Sequence, residues 1–233
     1  MCGRFSQLPI HLQAKIVAAL QAMNEDLPDQ MAEIRPRYNL APTQAAAVLR
    51  DGDAGVVLDE LRWGLLPFWA KEKKLSYQTI NARAETVAIK PAFRDAFKRR
   101  RAVVPMAGYF EWTAVGKIKQ PWFLRRPDGE PLWAAALWEP HHALQQPDDA
   151  GTFTVITTTA RDQAGDVHDR MPVFLPLAMA ETWMRETTEE AEKLIDYFEV
   201  PPLDIRPVSR RVNAPKDDDP ALLDRIPDAE VIA

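Results

Sequence analysis

The sequence predicts an α+β fold: a curled or barrel-like, mostly antiparallel β-sheet core with peripheral helices. Three observations carry this expectation. Short runs rich in β-branched and aromatic residues recur at close intervals from 102 to 158, the spacing of a sheet that curves back on itself. Helical periodicity is confined to a few separated segments. Regular βαβ alternation and a glycine-rich phosphate loop are both missing, which argues against a doubly wound parallel sheet.

In chain order, residues 9–24 read as an amphipathic helix with Ile10, Ile16, Val17, Leu20 and Met23 near one face. Residues 45–50 and 55–62 have strand-like apolar content, and Asp51-Gly52-Asp53 between them supplies a hairpin turn. The pattern turns helical over 83–100, where Pro91 opens a second short helix because a first turn does not need the missing N–H. Lys98, Arg99, Arg100 and Arg101 then fall at that helix's end, either as charge complementing its dipole or as phosphate contacts. Strands follow at 102–105, 108–113, 121–125, 131–138 and 153–158, with Pro127-Asp128-Gly129 as a hairpin turn. A helix near 187–198 begins with Thr187 and Glu190 at capping-box spacing, and a last strand lies near 204–212.

The 233 residues are 46% hydrophobic and 27% charged, enough to bury a sizeable core, and the 20 prolines are spread through the turns and do not collect in one linker. A single domain over 1–233 is expected. One cysteine rules out an internal disulfide and, with 4 histidines, gives no zinc-ligand cluster, so neither a metal nor a cofactor is expected. The amino terminus lacks the apolar core of a secretory signal and no stretch is long enough to span a bilayer, so the expected place is the cytoplasm, with no membrane partner. A net charge of -5 argues against indiscriminate coating of nucleic acid. Acidity is nevertheless concentrated late, at Glu189, Glu190, Glu192 and Asp217 to Asp219, while Arg4, Lys71, Lys73, Lys74, Arg83, Arg94 and Lys98 to Arg101 lie earlier, which allows one positive face.

The single cysteine is Cys2. If Met1 is trimmed, the chain begins with a 1,2-aminothiol, a group that captures aldehydes. An α-amino group has a pKa of roughly 7.7–8.0 against about 10.4 for lysine, so far more of it is nucleophilic near neutral pH. The amine forms an imine and the thiol then closes a thiazolidine on the same carbon. The competing reading is a small buried apolar filler.

Three further features bear chemistry. Asn81, in Asn81-Ala82-Arg83-Ala84-Glu85, is either a helix cap or a site residue. Glu111 stands between aromatics in Gly108-Tyr109-Phe110-Glu111-Trp112, where burial would raise its pKa and suit it to proton donation; the alternative is a solvated strand face. His168 precedes a proline-bounded apolar strand in His168-Asp169-Arg170-Met171-Pro172 and has the pKa for proton shuttling, whereas His11, His141 and His142 have no comparable context.

These segments, with Met1-Cys2-Gly3-Arg4-Phe5, Tyr38-Asn39-Leu40-Ala41-Pro42-Thr43 and Arg62-Trp63-Gly64-Leu65-Leu66-Pro67, resemble in order the motifs of the SRAP family, the SOS-response-associated peptidase or abasic-site processing proteins. The likeness runs from Cys2 to 208–215. One small departure is Tyr109-Phe110, where an aromatic pair of the other order is usual. The resemblance implies a monomeric DNA-damage-response protein that binds single-stranded DNA and joins covalently to abasic sites through Cys2, shielding the lesion as a thiazolidine crosslink. It implies that Asn81 orients the amine and sugar, that Glu111 shuttles protons and contributes to Met1 removal, and that His168 assists sugar ring opening and crosslink reversal. Arg4, Arg83 and Arg170 become candidates for phosphate contacts. Trp63, Phe68, Trp69 and Trp112 become candidates for base stacking, and Pro42 for the pocket wall beside Cys2.

Two other readings use the same residues. A cysteine peptidase would take Cys2 as nucleophile, His168 as base and Glu111 or Asn81 as the orienting group. A non-catalytic reader of single-stranded DNA would bind in a salt-sensitive way and form no covalent species.

Overall fold

The computed structural model describes residues 2–7, 10–23, 35–53, 55–140, 150–196 and 198–232. Within them the alternating apolar runs assemble as two sheets. The first contains, in spatial order, β12 (Asp204–Pro207), β8 (Ile118–Arg125), β7 (Gly108–Val115), β1 (Phe5–Gln7) and β2 (Arg37–Leu40). The second runs β11 (Arg170–Pro172), β10 (Gly151–Thr159), β4 (Gly55–Trp63), β3 (Ala45–Gly52), β6 (Arg101–Met106) and β9 (Leu132–Pro140), with β5 (Asn81–Arg83) also on β10. Because β9 pairs with β10 as well, five of these strands close into a ring, the curled sheet that the sequence predicts. Pairing is antiparallel except where β10 runs parallel to β4 and to β5.

Among the described residues, four α-helices lie outside the ring: α1 (Ile10–Met23), α2 (Arg94–Arg99), α3 (Ala180–Arg185) and α4 (Thr188–Asp196). Helix α1 buries Leu12, Ile16, Ala19 and Leu20, while Val17 is only half-buried, so its core stripe is rotated slightly from the expected one. Half of the expected capping box forms at the start of α4: the Glu190 N–H donates to Thr187 Oγ1 at 3.3 Å, while the Glu190 carboxylate pairs with Lys193 at 2.6 Å.

The hairpin at 51–53 forms, and its strands stay in register from Ala45↔Arg62 to Gly52↔Gly55. The Pro127-Asp128-Gly129 turn also forms, but it is not a hairpin: β8 lies in the first sheet and β9 in the second, so the turn carries the chain between them. Over 83–100 the helix shrinks to a 3₁₀ turn (Ala84–Thr86) and to α2, which starts three residues after Pro91. The basic run divides accordingly. Lys98 and Arg99 occupy the last turn of α2, Arg100 pairs with Glu139 at 2.7 Å, and Arg101 is buried against the carbonyls of Trp183, Phe97 and Glu186. The last strand ends at Pro207, where a 3₁₀ turn (Arg210–Asn213) takes over. His141 and His142 lie outside the described residues.

One large core joins residues of both sheets. Period two sends Tyr109 into it, while Phe110 packs in a separate cluster with Val208, Val212 and Leu222. After β4 the chain turns at Gly64, whose φ of +122° and whose position, with a Cβ reaching 2.5 Å from the Ser76 carbonyl oxygen, require glycine. That turn releases the loop bearing Phe68 and Trp69.

Candidate active site

Cys2 lies three residues before the start of β1, is fully buried, and sits where the two sheets meet. Its carbonyl oxygen accepts a 2.6 Å hydrogen bond from Asn81 Nδ2 on β5, which is held in register against Val155 of β10. A link between the sheets therefore runs through the residue that would carry the nucleophile. The Sγ lies 4.0 Å from the Arg4 carbonyl oxygen. Burial, with the charge of Glu111 adding, pushes the Cys2 thiol well above its ordinary range. Asn81 Oδ1 is buried with no hydrogen-bond partner among the described residues, so an acceptor remains unsatisfied beside Cys2.

Glu111 is on β7 opposite Trp122 of β8 and is 3% exposed. Burial raises its carboxyl from an ordinary 4.5 to about 7, and the charge of Asp169 contributes to the rise. His168 follows a 3₁₀ turn (Asp162–Asp166) and brings Nε2 to 3.9 Å from Glu111 Oε2. The Arg170 N–H donates to Nδ1 at 3.0 Å, which assigns the proton of the neutral ring to Nε2, facing Glu111. Asp169 Oδ1 lies 2.8 Å from the same Nδ1 and favours the charged ring, but burial outweighs it and lowers the His168 pKa. A carboxyl near 7 and a neutral imidazole, side by side next to a thiol, can exchange protons with a bound molecule at neutral pH.

Cys2, Asn81, Glu111 and His168, taken from four distant parts of the sequence, are thus brought together. Asn81 is a strand residue and caps no helix; the 3₁₀ turn after it begins behind Arg83 without a side-chain cap. Trp63 is not a stacking residue for bases. It is fully buried between Phe5, at a centroid distance of 4.9 Å, and Phe153, at 6.1 Å, with its Nε1 donating to the Ile80 carbonyl. Trp112 projects from the opposite face of β7 to Glu111, packs on the Phe110 cluster and donates to Asn213 Oδ1 at 2.8 Å. Phe68 and Trp69 are exposed on the loop after Gly64, and Pro42 is half-buried in the turn between β2 and β3.

The arginines differ. Arg83 is exposed at the end of the Asn81 strand. Arg170 is held by both oxygens of Glu85, at 2.6 and 2.9 Å, and by the Thr157 carbonyl. Arg4 is half-buried and donates to Asn39 Oδ1 and the Val212 carbonyl. The sequence reading missed two supports. Asn39 Nδ2 donates to the carbonyls of Val212, Ala214 and Asp217, and Asp218 Oδ1 accepts from the Tyr38 and Asn39 N–H groups. Together they fasten the late acidic segment to β2 and steady Arg4. Their only sequence signal was membership of a motif and of an acidic run, neither of which names a partner.

Fold and site together define an α+β protein with a ring-closed sheet and a buried polar cluster gathered around its second residue. The chain belongs to the SOS response associated peptidase (SRAP) family, whose profile matches residues 1–215. It is similar to the abasic site processing protein YoqW of Bacillus subtilis (strain 168), with 32% identity over 230 residues covering 96% of this chain and 99% of that protein. It is also similar to the abasic site processing protein YedK of Escherichia coli (strain K12), with 33% identity over 216 residues covering 91% and 94%. A crystal structure of a Bacteroides thetaiotaomicron protein superposes with a TM-score of 0.79 at 23% identity, covering 97% of this chain and all of the other, which supports the fold.

Proposed function

We propose that the protein processes abasic sites in single-stranded DNA by forming a covalent crosslink through Cys2, working as a monomer in the cytoplasm. Relatives named for abasic site processing support the lesion, and one geometric observation carries the chemistry: Asn81 holds the Cys2 backbone next to a buried Glu111 whose carboxyl titrates at about 7.

Removal of Met1 frees the Cys2 amine, which adds to the C1′ aldehyde of the ring-opened sugar. Glu111 in its acid form protonates the departing hydroxyl, releasing water and leaving an iminium. The thiol then attacks C1′: a C–S bond forms, the nitrogen takes the C=N electron pair, and the S–H proton passes to the Glu111 carboxylate. The acid is restored and the product is a thiazolidine. Asn81 orients the amine, and the Nε2–H of His168 serves the opening of the sugar ring. The peptidase alternative needs a Cys2 thiolate at rest, which burial opposes.

The test is incubation with a single-stranded oligonucleotide carrying one abasic site, followed by a denaturing gel. A band at the summed mass is expected. Its absence from protein shown by mass spectrometry to lack Met1 would defeat the reading.

A further inference from the structure

Tyr109 is fully buried in the main core, and its hydroxyl has no hydrogen-bond partner among the described residues. Phenylalanine would fill the same space without leaving a polar atom unsatisfied. The strand aims this hydroxyl at the site: Tyr109 and Glu111 alternate with Phe110, so both project from the inner face of β7. Across the ladder Tyr109 pairs with Phe5, three residues after Cys2, and the Phe110 N–H donates to the same Arg4 carbonyl that lies against Cys2 Sγ. Phe174 lies alongside, with its ring centroid 5.8 Å from that of Tyr109. Burial, followed by the charges of Cys2 and Glu111, pushes the phenol well above its ordinary range, so it stays a donor when either neighbour is ionised.

We propose that Tyr109 is a positioning residue for Cys2, its hydroxyl donating a hydrogen bond to the sulfur as the thiol gives up its proton in thiazolidine closure. This rests on the crosslinking reading of Cys2. As the S–H proton leaves for Glu111 ahead of C–S bond formation, negative charge grows on a sulfur whose neighbour, the Arg4 carbonyl, is an acceptor and cannot stabilise it. A phenolic donor supplies the opposite polarity where both side chains are fully buried.

The test is Tyr109→Phe, compared with wild type after Met1 removal is verified by mass. Borohydride captures the imine with abasic single-stranded DNA, and the thiazolidine persists on a denaturing gel without reductant. Imine formation is expected at the wild-type rate, thiazolidine closure about tenfold slower, and the melting temperature unchanged or higher, since an unsatisfied hydroxyl leaves the core. Equal closure rates overturn the proposal. If wild type forms neither species, the crosslinking reading itself fails. The rate of Cys2 modification by methyl methanethiosulfonate against pH then decides Tyr109 alone: slower modification in the variant supports the hydrogen bond, and an unchanged profile overturns it.

Discussion

Asn81 donates its side-chain amide to the Cys2 carbonyl oxygen across the junction of the two sheets, at 2.6 Å and out of contact with solvent. One hydrogen bond thus fixes the direction in which the chain's first residues enter the core. Asn81→Ala leaves the Cys2 carbonyl without this donor, and buried groups so orphaned cost about 1–3 kcal/mol. Urea unfolding should show a loss of that size, and crosslinking of abasic single-stranded DNA should slow by at least about tenfold. A stable variant with a wild-type rate would remove Asn81 from the site.

Glu111 gives the fold a pH dependence of unusual sign. Its carboxyl titrates at 4.5 in an ordinary setting and at about 7 in the folded chain, so between those values the folded state holds more protons than the unfolded one. The contribution is fully present below about 4.5 and is lost as pH rises through about 7. At ~1.4 kcal/mol per pH unit, ionising this side chain near pH 8.5 costs a few kcal/mol. Glu111→Gln should therefore melt higher than wild type at pH 8.5 and close to it at about pH 5, while crosslinking falls by at least about a hundredfold. Melting differences that ignore pH would show that the carboxyl is not held neutral.

The second residue, the glutamate between aromatics and the histidine before a short strand were legible because local sequence alone marks them as unusual. What stayed hidden depends on partners far away in the chain. Asn81 reads equally as a helix cap or as a site residue, because β5 is three residues long and exists through parallel pairing with β10, which no local pattern announces. The turn at 127–129 was visible, but the change of sheet it effects was not. Asp218 looked like surface acidity, yet it accepts the N–H of Tyr38, 180 residues earlier. The inward direction of Tyr109 was within reach, since an inward Glu111 two residues on fixes it by the period of a strand.

Trp63 and Trp69, six positions apart, separate packing from DNA binding. Trp63 is enclosed between Phe5 and Phe153, so Trp63→Ala should cost ~3–5 kcal/mol in thermal or urea unfolding. Trp69 is 44% exposed, so Trp69→Ala should leave stability within about 0.5 kcal/mol. It should still weaken single-stranded DNA binding by ~1–3 kcal/mol if a base stacks on that ring. Fluorescence anisotropy with unmodified and abasic oligonucleotides measures this. An unaltered affinity would place the stacking surface elsewhere.

Glu85 holds the Arg170 guanidinium through both carboxylate oxygens and thereby cancels a charge at the rim of the site, while Arg83 nearby is exposed at the end of β5. The two arginines should therefore respond differently to salt. Each phosphate neutralised on single-stranded DNA contributes about 0.7 to the slope of log affinity against log salt concentration. Arg83→Ala should lower the magnitude of that slope by about this amount, with little change in stability. Glu85→Gln keeps the shape of the side chain but removes its charge, leaving Arg170 free to take a phosphate oxygen; binding should tighten and the slope steepen by up to about 0.7. Titrations at several salt concentrations with an abasic oligonucleotide, on protein with Cys2 changed to alanine so that only reversible binding is read, make the comparison. Wild-type affinity and slope in Glu85→Gln would show that Arg170 faces no phosphate and that its pairing with Glu85 serves only to anchor β11.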